Sequence, residues 1–211
     1  MKKGSLAWRI GHISEPLGFP PWELLSWKNR FDHPDKIFRT LYCAEQRATA
    51  FREVLADFRP NARARAEYKT LFGEDLPAPR VTSAWWGTKV LAQGILEASH
   101  GPLVDIDGPD LRQQFARSHA DLLARHGMDH LDIAQIRSKD RPITQAVTRF
   151  VADRGAAGIV YGSNLDDQPC AALFEGRSFL VPVPGSVPEP LAASHPDLME
   201  ICNEFGLVLE Y

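Results

Sequence analysis

Apolar residues recur along the chain at two spacings, one typical of helices and the other of strands. Steps of three and four residues within residues 45–58 place one apolar face on a helix, which Pro60 is expected to end. That face consists of Ala48, Phe51, Leu55 and Phe58. Residues 141–154 repeat the pattern, with Pro142 in the first turn and Gly155 just past the end.

Shorter apolar runs between turn residues predict strands. The predicted strands span residues 6–10, 37–44, 80–91, 103–106, 131–136, 158–161 and 170–174. Two more helices are expected over residues 109–125 and 197–205. Short strands outnumber long helices and no βαβ repeat emerges, so the order of elements favours a mixed α+β fold.

Three stretches show neither spacing. Residues 15–27 are rich in Pro and Trp, and an irregular segment of this length is often functional. Residues 61–80 are polar and basic and are expected to form an exposed excursion, whereas residues 184–196 are predicted to be a loop. The local pattern assigns no role to residues 61–102 or to the C-terminal extension 185–211.

The composition is that of an ordinary folded protein. Apolar residues make up 44 % and charged residues 24 % of 211 residues, which fits one domain over residues 1–211. The net charge of −3 gives no reason to expect nucleic acid or an anionic membrane as a partner. No signal peptide and no membrane span is visible, so a cytoplasmic location is expected.

Several kinds of site find no support in the sequence. The three cysteines, Cys43, Cys170 and Cys202, form no CxxC pair. Cys43 and Cys170 lie in apolar runs, so inert buried thiols are the favoured interpretation there. None of the seven histidines lies in a metal-binding motif, so no metal is expected. GxGxxG and GxxxxGK[ST] are both absent, which argues against a Rossmann or P-loop nucleotide site.

Four polar side chains remain as candidates for chemistry, and each also has an ordinary structural explanation. Arg30 can be a surface arginine, and Tyr42 a strand aromatic with a satisfied hydroxyl. Glu53 lies away from the apolar face of its helix, as expected of a solvated position. Ser163 follows a strand and is most simply a turn residue, since no GxSxG motif surrounds it.

Taken in order, however, the segments that hold these residues resemble the RES family, named for Arg, Glu and Ser. The resemblance spans residues 6 to about 184. Its segments are LAWRI at 6–10, NRFDHP at 29–34, TLYCAE at 40–45, AFREVL at 50–55, GIVYGS at 158–163 and AALF at 171–174. The chain departs from the family pattern at Asn29, where the family has Gly, and at Gly162, where it often has Pro.

The resemblance implies an ADP-ribosyltransferase-like fold, a split mixed β-sheet with flanking helices, which holds NAD⁺ as substrate in its cleft. It also implies a toxin that breaks the nicotinamide–ribose bond by hydrolysis or phosphorolysis and pairs with an Xre-type helix-turn-helix antitoxin. Glu53 would hold a ribose hydroxyl and stabilise the ribose cation, and Arg30 would grip the diphosphate or the ribose. Tyr42 would stack on or hydrogen-bond the nicotinamide ribose. Ser163 would contact the ligand or orient Glu53, and Phe31 would complete the NAD⁺ site.

Other functions stay open at this level. The same site would serve an ADP-ribosyltransferase that modifies a macromolecule, and a catalytically silent member would act as an interaction module. The sequence does not decide between hydrolysis, phosphorolysis and transfer, and a homodimer is compatible with it.

Overall fold

The structure is a computed structural model that describes residues 1–210. Its helices are α1 (Arg47–Leu55), α2 (Ala62–Phe72), α3 (Ser83–Trp86), α4 (Pro109–Ser118), α5 (Ala120–Arg125), α6 (Ile133–Ile136), α7 (Arg141–Ala152) and α8 (Pro196–Phe205). Its strands are β1 (Leu6–His12), β2 (Thr40–Ala44), β3 (Arg80–Val81), β4 (Lys89–Ala98), β5 (Leu103–Asp105), β6 (Gly158–Gly162), β7 (Pro169–Phe174), β8 (Ser178–Pro182), β9 (Glu189–Pro190) and β10 (Val208–Leu209). Short 3₁₀ turns lie at Trp22–Leu24 and Ala56–Phe58.

Most of the described strands form one mixed sheet in the order β5-β6-β7-β2-β1-β4-β8, with β9 also paired to β4. β5 and β6 run parallel, and the other neighbours in this sheet are antiparallel. β1 and β2 are paired at one register position, Trp8 opposite Ala44, so the sheet is split between them. The α+β class and the split mixed sheet with flanking helices are therefore confirmed.

The two faces of the sheet are covered differently. Side chains alternate along β2 and β7, so Ala44 and Phe174 belong to a large core that includes the helices. Leu41 and Leu173 point to the opposite face, into a smaller cluster that Leu17 helps to cover. Leu17 and Phe19 of the irregular stretch 15–27 thus cover part of the side of the sheet away from the helices.

The predicted apolar face of α1 packs against the sheet. Phe51 and Leu55 are fully buried, and Ala48 and Phe58 pack against the same core. The helical turns of residues 47–58 end before Pro60, as expected. This packing fixes which way the opposite face of the helix points, including Glu53.

Three predicted elements were wrong or incomplete. Residues 80–91 are not one strand, because Trp85 and Trp86 lie in α3 and the long strand β4 begins after them. Residues 131–136 are not a strand either. Asp132 and Gln135 form a reciprocal capping box that starts the short helix α6. The helix predicted over 109–125 is divided at His119 into α4 and α5.

The stretch after Pro60 is exposed, as predicted, but it is helical. α2 begins at its Asn61 cap, ends at Gly73 in the left-handed conformation and buries none of its residues. Across residues 1–210, no helix combines the length and the apolar character that a membrane span requires.

Candidate active site

The carboxylate of Glu53 is the point where three predicted site residues meet. Arg30 Nη2 donates to Glu53 Oε2 at 3.0 Å, and Ser163 Oγ donates to Glu53 Oε1 at 2.6 Å. The Arg30 and Glu53 side chains are 12 % and 25 % exposed, so the ion pair is largely shielded from bulk solvent. The structure therefore brings Arg30, Glu53 and Ser163 together.

Aromatic rings and a backbone carbonyl fix the direction of the Arg30 guanidinium. Its central carbon lies 5.0 Å from the ring centroid of Tyr161 and 5.6 Å from that of Phe31. Its second terminal nitrogen, Nη1, donates to the backbone carbonyl of Arg137 at 3.1 Å. Arg30 is thus held by two aromatic rings, the Arg137 carbonyl and the Glu53 carboxylate.

Tyr42 lies beneath this pair and holds the loop that carries Arg30. Its hydroxyl accepts from the backbone N–H of Phe31 at 3.0 Å and donates to Asp32 Oδ1 at 3.3 Å. Burial, together with the nearby Asp32 carboxylate, raises the pKa of the Tyr42 hydroxyl well above its usual value. Tyr42 therefore stays a neutral hydrogen-bonding group at physiological pH.

Phe31 is placed next to the site but not in it. Its side chain is fully buried, with its ring centroid 4.7 Å from that of Tyr161. In this arrangement the ring supports Arg30 from the core, and the contact with NAD⁺ expected of Phe31 stays a prediction.

The polar face of α1 binds the turn that carries Ser163. Thr49 Oγ1 donates to Asp166 Oδ2 at 2.7 Å, and Arg52 Nη1 donates to the same oxygen at 3.0 Å. Burial raises the pKa of the Asp166 carboxyl, but hydrogen bonds from Thr49, Gln168 and Arg52 outweigh burial and hold the pKa below its usual value. The face that seemed solvated in the sequence is thus a contact surface for residues 163–168.

Arg137 holds the other side of the same turn, and no sequence motif pointed to it. Its Nε donates to Asp107 Oδ1 at 2.8 Å, and its Nη1 donates to Asp167 Oδ1 at 2.6 Å. Asp107 Oδ2 in turn accepts from the backbone N–H of Gly162 at 2.9 Å. The one feature of the sequence that could have indicated a contact here is Gly162. A glycine at the end of a buried strand leaves room for another group to approach the backbone closely.

The arrangement favours electrostatic chemistry over a thiol nucleophile. Cys170 is buried near Glu53, and burial followed by the repulsion of that carboxylate raises its thiol pKa far above the usual value. The Glu53 carboxylate, by contrast, has one oxygen on a hydroxyl and the other on a guanidinium. Such a group can accept hydrogen bonds from a ligand's hydroxyls and stabilise a neighbouring positive charge.

The comparison with family models agrees with the motif order. A family model described as RES domain matches residues 6–194. One similar solved structure is a chain from the crystal structure of the M. tuberculosis MbcT–MbcA toxin–antitoxin complex. It has 12 % sequence identity and a TM-score of 0.44, over 91 % of this chain and 86 % of that one. No curated protein matches the chain significantly.

Proposed function

The chain belongs to the RES-domain family, and from this premise we propose that it is a toxin that consumes NAD⁺ by breaking the nicotinamide–ribose bond. Water or phosphate would be the acceptor. The observation that carries the proposal is the Glu53 carboxylate, held between the Arg30 guanidinium and the Ser163 hydroxyl.

The reaction needs little beyond what this site offers. Nicotinamide is a cationic leaving group, so the electron pair of the broken C–N bond leaves with it and makes it neutral. The ribose then carries positive charge, as in glycoside hydrolysis, and an anion beside it lowers the barrier. Water or phosphate adds to the ribose carbon and, in the case of water, releases one proton. Glu53 would supply the anion.

Substrate binding would add a partner to Arg30. Its guanidinium carries five N–H donors in a planar fork, so it would hold the diphosphate of NAD⁺ alongside Glu53. Glu53, still oriented by Ser163 at 2.6 Å, would then accept hydrogen bonds from the ribose hydroxyls. Tyr42 and Phe31 would keep the Arg30 loop in place, and Tyr42 would contact the nicotinamide ribose.

A protein that degrades NAD⁺ has to be inhibited in the cell that makes it. We therefore expect a cognate antitoxin of the Xre helix-turn-helix type, which would act on this protein in the cytoplasm. No metal would be needed, because the leaving group already carries the charge that a Lewis acid would otherwise induce.

Mass analysis of the products tests the proposal. Purified protein is incubated with NAD⁺, with and without phosphate, alongside the Glu53→Gln variant. The control is Glu200→Gln, which changes an exposed glutamate on α8. We expect nicotinamide with ADP-ribose or its phosphate from the wild type and the control, and a loss of about 10²-fold or more in Glu53→Gln.

The other functions give different products. ADP-ribose attached to a macromolecule would identify a transferase. Unchanged NAD⁺ after prolonged incubation would contradict the proposed enzymatic activity. A catalytically silent interaction module would then be the remaining function.

A further inference from the structure

Arg137 links Arg30 and Ser163, the two residues that donate hydrogen bonds to Glu53. We propose that Arg137 is a positioning residue, which sets the separation of Arg30 and Ser163 so that both reach the Glu53 carboxylate. The activity readout of this inference rests on the proposed function, but its structural readout does not.

The backbone of Arg137 contacts Arg30 directly. Its carbonyl oxygen accepts from Arg30 Nη1 at 3.1 Å and also from the side-chain amide of Asn164. Arg137 directly follows α6, a helix of four residues, so the position of this carbonyl depends on what anchors the end of a very short element.

The side chain of Arg137 supplies that anchor. It bonds to Asp107 and Asp167, with side-chain exposures of 16 % for Arg137 and 19 % for Asp107. Asp107 also accepts from the backbone N–H of Gly162, the residue before Ser163. One arginine therefore ties the carbonyl that orients Arg30 to the strand end that carries Ser163.

Gly162 makes this contact possible. A Cβ atom built at Gly162 would lie 2.3 Å from Arg137 Nη2 and 2.5 Å from its Cζ. Both atoms belong to the far end of a flexible side chain, so an alanine here would displace the guanidinium rather than break the strand. Gly162→Ala is thus a way to dislodge Arg137 without removing it.

The charges argue for positioning rather than for binding an anion. Two carboxylates, Asp107 and Asp167, already bond to the Arg137 guanidinium. Hydrogen bonding to Asp107, which outweighs burial, raises the pKa of Arg137 above its usual value, so it stays charged. A phosphate would have to displace a carboxylate to reach it.

The activity test uses Arg137→Gln, Gly162→Ala and the double variant, with Arg117→Gln on the exposed end of α4 as control. We expect each single variant to lower kcat for NAD⁺ by about 10- to 100-fold with a much smaller change in KM. The double variant should be no worse than either single variant, because both remove the same contact. Arg137→Lys should not restore kcat, since an ammonium cannot bond both carboxylates in the same planar geometry.

The structural test is a crystal structure of Arg137→Gln and of Gly162→Ala. We expect the contacts of Arg30 and Ser163 with Glu53 to lengthen or separate in both, whether or not the wild type degrades NAD⁺. Unchanged contacts at Glu53 would overturn the inference even if NAD⁺ cleavage is demonstrated. Additive losses of kcat in the double variant, or equal loss in a folded Arg117→Gln, would overturn it as well.

Discussion

At the scale of single residues, the hydroxyl of Tyr42, a candidate site residue, also has a structural role. It accepts from the Phe31 N–H and donates to Asp32, and both partners precede β2 in the loop that presents Arg30. Deleting the hydroxyl leaves a partly buried N–H without its acceptor, which costs more than the hydrogen bond itself contributed.

Tyr42→Phe should therefore lower the free energy of unfolding by about 1–3 kcal/mol. Tyr68→Phe on the exposed helix α2 should change it by less than about 0.5 kcal/mol. Urea unfolding followed by fluorescence measures both. Equal stability of Tyr42→Phe and the wild type would show that the loop does not depend on this hydroxyl.

The three cysteines are expected to be unreactive in the folded protein. All are buried, and burial raises the pKa of the Cys43 thiol to about 12 and that of Cys202 to about 11. At pH 8 almost no thiolate is present at these positions, and thiolate is the reactive form. Mass analysis after iodoacetamide treatment should show no labelling of the native protein and three labels after unfolding in urea. Rapid labelling of the native protein at any of them would contradict this prediction.

At the scale of elements, α1 is the platform of the site. Its apolar face packs on the sheet, and its polar face places Thr49, Arg52 and Glu53 against the turn 163–168. Two of these contacts converge on Asp166, so that carboxylate holds the turn to the helix.

Asp166→Ala should leave Arg52 and Thr49 without this partner and loosen the turn. We expect a loss of about 1–3 kcal/mol in the free energy of unfolding, since a partly buried charged hydrogen bond is lost. NAD⁺ cleavage should fall at the same time, because Ser163 belongs to the turn. Asp121→Ala, at an exposed position in α5, is the matched control. If Asp166→Ala is destabilised but cleaves NAD⁺ as fast as the wild type, the activity does not depend on how the turn is held.

α2 is the opposite kind of element, since it buries none of its residues. Ala66→Pro should abolish this helix, yet change the midpoint of global thermal unfolding by no more than about 2 °C, because the core does not depend on it. Ala146→Pro in α7, whose neighbours Ile143, Val147 and Phe150 are buried, should cost about 3 kcal/mol or more. Circular dichroism measures both variants. A large fall in the midpoint for Ala66→Pro would indicate that α2 has a packing partner.

At the scale of the whole molecule, ion pairs join segments that are remote in sequence. Arg39 bonds to Glu175, Arg47 to Glu189, and Arg52 to Asp166. Hydrogen bonds from Arg39 and Arg47 lower the pKa of Glu175 and Glu189 respectively, and Asp166 has a lowered pKa for the reason given above.

Acid should therefore destabilise the protein through these groups. As the pH falls, a carboxyl whose pKa is lower in the folded state is protonated in the unfolded chain before it is protonated in the folded protein. The stabilisation that such a carboxyl contributes is complete above its pKa in the unfolded chain, near 4. It is lost as the pH falls through its pKa in the folded protein. Urea midpoints at pH 7, 5 and 3 should show little change between the first two and a fall at pH 3. A midpoint at pH 3 equal to that at pH 7 would contradict this expectation.

Local patterns in the sequence were enough to predict several elements correctly. The stripe through Phe51 and Leu55, the Pro and Gly that bound α7, and the strands β6 and β7 all came from periodicity and turn chemistry. The motif order also selected Arg30, Glu53 and Ser163. Local patterns failed at Trp85 and Trp86 and before Arg137, where capping and helical turns outweighed the apolar run.

Contacts between polar groups depend on how the elements are arranged in three dimensions. Ser163 and Glu53 are 110 positions apart, and Arg137 is 107 positions from Arg30. Periodicity records which side of an element is buried, but a contact between two elements depends on strand order and on the paths of the loops between them. For that reason, resemblance alone placed Arg30, Glu53 and Ser163 in one expected site, and the fold revealed their contacts and the role of Arg137.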